Sequence, residues 1–198
     1  MWIVFGLMTI FVVVHRDRTL LDSQSFLRQR YAVIPWLMLA HGVPGALALA
    51  LGLFQFSSRL RQRYLQLHRV VGRTYVGCVA ISAPSAVAVS FALPHVTLTM
   101  ASVIQSAGWI LTTATGLYCV RTGRIQQHRE WMMRSYPFAM VFIVVRTIGA
   151  IPAIARMEFG GVTVVWSVIA TACFLPSFVI AWQALAASQR RVKVPTRA

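Results

Sequence analysis

Four ionisable side chains stand in or beside long apolar runs where an inert lipid-facing helix has no use for them: His41, His68, His128 and Arg146. His41 lies within such a run and is closely followed by Pro44, whose missing amide hydrogen leaves the Ala40 carbonyl without its helical partner. An imidazole beside a freed carbonyl can turn toward an interior cavity. Arg146 lies well inside a later run, and a guanidinium at mid-membrane costs at least about 2.5–3.5 kcal/mol on insertion scales. Something within a bundle must offset that cost. His41 and Arg146 reach similar depths in the bilayer, so they can share one cavity, where neutral imidazole would bind iron or a quinone oxygen. The plainer reading is a buried His–Arg hydrogen-bonded pair, or Arg146 reaching outward to the membrane surface.

His68 and His128 sit at the ends of two other runs, each within a repeated pattern. Arg61 precedes His68-Arg69 by the interval at which Arg121 precedes His128-Arg129. Each pair is followed by another arginine and a tyrosine, Arg73 and Tyr75 in one copy, Arg134 and Tyr136 in the other. Such a match points to two related hairpins, as in membrane proteins built from parallel repeats. Equivalent positions would let the two imidazoles face one another and clamp a b-type haem, with arginines beside its propionates. His41 cannot share that haem, because the helix from His41 to Phe56 spans about 22 Å at 1.5 Å per residue. The rival reading is that histidine and arginine at a membrane edge simply bind lipid phosphates. Arg61, Arg69, Arg73, Arg121, Arg129 and Arg134 are the candidate headgroup contacts.

The elements that must position these groups are transmembrane helices. Of 198 residues, 58% are hydrophobic and only 12% charged, against about 45–50% and about 25% in soluble domains. A helix needs about 20 apolar residues to cross the hydrocarbon core. Runs at 32–56, 70–94, 96–120, 131–155 and 162–187 approach or exceed that length, and a shorter one covers 1–14. The short run lacks the basic start and cleavage site of a secretory signal and is expected to be a real first helix. The expectation is an all-α, polytopic bundle of about six spans in a single domain, 1–198, with a tail at 188–198. Arginine-rich connections at 59–73 and 121–134 and the basic tail fall on one side, so the positive-inside bias puts both termini in the cytoplasm.

The net charge of +15 sits at these edges, which argues for anionic lipid and against nucleic acid. Cys78, Cys119 and Cys173 have no paired spacing and are expected to be small packing residues. Ala48 with Gly52, and Gly108 with Thr112 and Gly116, form small-residue stripes suited to close helix contact. Trp36, Trp109 and Trp131 are expected at membrane interfaces. Only Asp17, Asp22, Glu130 and Glu158 are acidic, all in or beside loops, which disfavours carboxylate-driven hydrolysis or proton pumping.

The run from His41-Gly through Leu53-Phe-Gln-Phe to Leu67-His-Arg-Val-Val-Gly-Arg-Thr-Tyr, with the later His128-Arg-Glu-Trp-Met-Met-Arg-Ser-Tyr and Arg146, resembles a bacterial family of predicted multi-spanning membrane proteins of unknown function. The resemblance covers roughly residues 31–152. It implies a six- or seven-span inner-membrane protein with histidines recurring at His41, His68 and His128, and it implies no activity. Two functions remain in view. One is a haem- or quinone-interacting redox protein using His41, His68, His128 and Arg146. The other is a non-catalytic accessory or lipid-binding subunit of a larger membrane complex.

Overall fold

The computed structural model describes residues 32–92 and 96–148. The expected spans at 1–14 and 162–187 and the tail lie outside the described residues, as do His15 and Cys173. Five helices follow in order: α1 (Pro35–Gln55), the short α2 (Ser58–Arg63), α3 (Leu65–Ala92), α4 (Val96–Arg121) and α5 (Ile125–Ile148). No strand occurs among the described residues. Among the described residues, three helical stretches are long and apolar enough to cross a membrane: Pro35–Gln55, Leu65–Ala92 and Thr99–Arg121.

Two helix starts differ from the apolar runs. The third run was expected from 70 and the fifth from 131, yet α3 begins at Leu65 and α5 at Ile125. Charge excludes these first turns from hydrocarbon, but it does not stop them from being helical. His68, Arg69, His128 and Arg129 therefore sit on helices, where their directions are set by helical pitch. The connections themselves are short. Gly123, at φ 76°, ends α4 in the left-handed conformation that glycine adopts without steric cost. Ser57 starts α2 by accepting the Leu60 amide on its hydroxyl.

Long-range hydrogen bonds establish how the long helices run. His41 meets Ser82 at one end of the α1–α3 pair and Gln55 meets His68 at the other, so these helices are antiparallel. Trp109 with Tyr75 and Thr99 with Ser90 give the same result for α3 and α4. His128 with Gly116 and Gln105 with Phe138 give it for α4 and α5. Tyr136 donating to the Leu49 carbonyl closes the ring between α5 and α1. Among the described residues the long helices form a four-membered bundle in which α1 and α4 lie on one diagonal and α3 and α5 on the other. Helices on the same diagonal run parallel.

Small residues permit this closure, as their stripes predicted. The Tyr136 ring lies directly on Gly52, where any Cβ would overlap it, and Phe138 likewise covers Gly108. Ala48, Tyr75, Val79, Trp109 and Tyr136 belong to the buried core. In lipid, such close fits replace the apolar driving force that a water-soluble bundle enjoys. Cys78 and Cys119 are both buried free thiols, in line with a packing role.

Candidate functional site

The bundle interior carries a polar layer that crosses the α3–α5 diagonal. Tyr75 and Ser135 bond directly, hydroxyl to hydroxyl, at 2.9 Å. Trp109 donates its indole N–H to the Tyr75 oxygen at 3.1 Å, and Thr113 donates to the Trp109 carbonyl at 2.7 Å. Because that carbonyl takes the Thr113 proton, Thr113 must accept from Ser135, 2.7 Å away. Ser135 in turn accepts from Tyr75. Every hydroxyl is thereby satisfied in one direction, as buried polar groups require. Trp109 was expected at an interface, yet it is 4% exposed. The indole is held inside by this hydrogen bond rather than drawn to the headgroup region.

His68 and His128 each lie two turns before a member of this layer, seven residues before Tyr75 and Ser135 respectively. Seven residues advance a helix by about 10.5 Å and turn it by only about 20° from the same face. Since α3 and α5 run parallel and touch through Tyr75 and Ser135, the two imidazoles occupy matching levels at the arginine-rich end.

The two rings are held differently. His128 places Nδ1 2.8 Å from the Gly116 carbonyl, which can only accept, so Nδ1 carries a proton and, in the neutral ring, Nε2 keeps its lone pair. A backbone carbonyl on Nδ1 is the arrangement that orients ligating histidines. For His68 the main-chain carbonyl is taken by Gln55, while Nδ1 is buried and has no hydrogen-bond partner among the described residues. A buried nitrogen left in that state costs about 1–3 kcal/mol. Among the described residues no group of three or more His, Cys, Asp or Glu side chains gathers to hold a metal ion. What the arrangement offers is a pair of imidazoles on opposed helices.

The sequence repeat reappears as geometry. The sixty-residue offset between His68 and His128 also separates Tyr75 from Ser135 and Leu49 from Trp109. Tyr75 bonds to Trp109 on α4, and Tyr136 bonds to Leu49 on α1. Sequence alone aligned Tyr75 with Tyr136. In the structure Ser135 faces Tyr75, and Tyr136, one residue on, turns toward α1.

His41 stands apart. It contacts Ser82, which lies fourteen residues after His68 on α3 and so about 21 Å further along the bundle. The side chain of Arg146 lies outside the described residues, and its proposed meeting with His41 with it. Of the arginines proposed for headgroups, Arg69, Arg73, Arg121 and Arg129 are exposed, all at the end where His68 and His128 lie. Arg61 is half-buried. Arg134 is half-buried too, its guanidinium 4.6 Å over the Trp131 ring, a cation–π contact that holds it along its own helix.

Residues 38–185 match the model of a family described as predicted membrane protein (DUF2306). The chain belongs to this family. The match takes in both His-Arg motifs, the polar layer and all of α3, α4 and α5. Membership in DUF2306 accords with the membrane-crossing helices and brings no activity with it. No curated protein and no solved structure matches the chain.

Proposed function

We propose that this protein is a multi-pass redox protein of the bacterial inner membrane that holds a b-type haem between His68 and His128. The observation that carries the reading is the Tyr75–Ser135 bond across the bundle, which aligns the faces bearing the two imidazoles. Bound there, haem would supply one-electron chemistry through its iron. The chain's part is to present Nε2 of His128 with the Gly116 carbonyl behind it, and to pair Arg61 and its neighbours with the propionates. The hydroxyl layer two turns away closes the interior against water. About six spans, from the apolar runs, with both termini and the arginine-rich end in the cytoplasm, from the charge asymmetry, complete the proposal.

A second reading is favoured by one observation, the six exposed arginines at the same end, Arg63, Arg69, Arg73, Arg121, Arg124 and Arg129. In it the chain is an accessory subunit that binds anionic lipid or a neighbouring subunit and holds no cofactor. Absorption spectroscopy separates the two. Full-length protein purified in mild detergent and titrated with haem is expected to develop a Soret band that saturates at one haem per chain. A protein that stays colourless through the titration, while retaining anionic lipid, would leave the accessory reading in its place.

A further inference from the structure

The environment of His41 assigns it a second task, separate from the His68–His128 end. Ser82, fully buried on α3, donates its only hydroxyl proton to the His41 carbonyl at 2.8 Å. The Ser82 oxygen and the Ser82 carbonyl lie 3.2 Å and 3.1 Å from Nδ1 of His41. With its proton committed, the hydroxyl can only accept from the ring, and a carbonyl always does. Both groups facing Nδ1 are therefore acceptors, and Nδ1 must carry the hydrogen. In neutral imidazole this leaves Nε2 as a lone pair with a fixed direction.

Room and depth define what that lone pair can receive. Pro44 lies one turn beyond His41 on α1, and Pro84 lies beside Ser82 on α3, so both helices lose amide donors at this level. A side chain on neighbouring Gly42 would meet no described atom within 4 Å. His41 itself is half-buried, and Val43 beside it is exposed. The site lies within a membrane-crossing helix, where water is scarce and ligands arrive through lipid. Among the described residues no group of three or more His, Cys, Asp or Glu side chains gathers, so this imidazole suits a hydrogen-bond donor better than a metal ion.

We infer that His41 is the acceptor of a binding site for a lipid-soluble hydroquinone, whose phenolic hydroxyl donates to Nε2. The shared chemistry is a hydroxyl embedded in lipid; a hydroquinone headgroup combines it with a flat ring that can lie against the apolar flank of α1. An oxidised quinone has only carbonyl oxygens and cannot make this bond. The site therefore prefers the reduced ligand.

The test follows the imidazole nitrogens directly. Full-length protein with isotope-labelled histidines is placed in neutral phospholipid nanodiscs, and the His41 resonances are assigned by their loss in His41→Leu. A decyl-chain benzoquinol, the matching quinone and dodecanol are then titrated in turn without oxygen. The expected result is a Nδ1–H ring whose Nε2 signal responds to the quinol at about tenfold lower concentration than to the quinone, one neutral hydrogen bond's worth. Dodecanol, which can donate a hydroxyl but lacks the flat ring, should act more weakly than the quinol. Equal responses to quinol and quinone, a response to dodecanol matching the quinol, no response at all, or a proton on Nε2 would each overturn the assignment. Each readout is taken at His41 and holds whether or not the protein binds haem at its other end.

Discussion

Replacing His128 with alanine is expected to lower haem affinity by at least about a hundredfold, and the same holds for His68→Ala. Disturbing a partner behind a ligating histidine already costs about 10–100-fold in metal affinity, and removing the ligand itself exceeds that. The two variants should differ in what remains. His68→Ala leaves His128 anchored to the Gly116 carbonyl at 2.8 Å, so a single oriented axial ligand persists. His128→Ala leaves His68, whose buried Nδ1 has no partner among the described residues to orient the ring. Residual binding should be tighter in His68→Ala, and the double variant should bind none. Haem titration of the three proteins in detergent checks this, and unchanged affinity in either single variant would remove that histidine from the site.

The second large effect concerns the layer that aligns the two histidines. Tyr75→Phe removes one oxygen and with it two interhelical bonds, from Trp109 and to Ser135. Side-chain bonds between helices in lipid contribute about 0.6–2 kcal/mol each, so the variant should lose about 1–4 kcal/mol of stability. Ser135→Ala breaks the same chain at its next link, leaving the Tyr75 O–H without its acceptor and Thr113 without its donor. Because both changes cut one network, their effects should fall short of adding by more than about 0.5 kcal/mol. Denaturation midpoints of the two single variants and the double variant close this cycle. Strict additivity would mean that α3 and α5 do not meet across the bundle.

Much of this architecture was legible in the residues. Apolar runs announced the helices, and the stripes of Ala48 with Gly52 and of Gly108 with Gly116 marked where helices approach, because close contact in lipid demands small side chains. The paired His-Arg motifs, read as a repeat, pointed to matching positions for His68 and His128, each seven residues before Tyr75 and Ser135, and the helix length separated His41 from them. Other features were hidden for physical reasons. Hydropathy cannot see a helix where its first turn is charged, so the starts of α3 and α5 were placed late. Trp109 was taken for an interfacial ring because its hydrogen-bond acceptor, Tyr75, is thirty-four residues away. Ser82, Thr113 and Ser135 went unnoticed, since serine and threonine in an apolar helix usually bond their own backbone, as Ser85 and Thr115 do here. A heptad count from the histidines, reaching Tyr75, Ser82 and Ser135, was the signal that would have found two of the three.

The layout also separates two tasks by depth. In the proposed reading, the imidazoles at the arginine-rich end would meet a water-soluble electron donor or acceptor, while His41, about 21 Å further along the bundle, would meet ligands carried by the lipid. The polar layer of Tyr75, Trp109, Thr113 and Ser135 lies between them, midway along the same face of α3. Its hydrogen bonds end on the Trp109 carbonyl, so it holds the helices in register and offers no onward path for protons.

The most direct measurement is the electron paramagnetic resonance spectrum of the ferric, haem-loaded wild-type protein. Two imidazoles bound to one iron predict a low-spin signal that turns high-spin in His68→Ala. A wild-type spectrum that is already high-spin, or one the substitution leaves untouched, would show that the histidines of α3 and α5 do not share an iron.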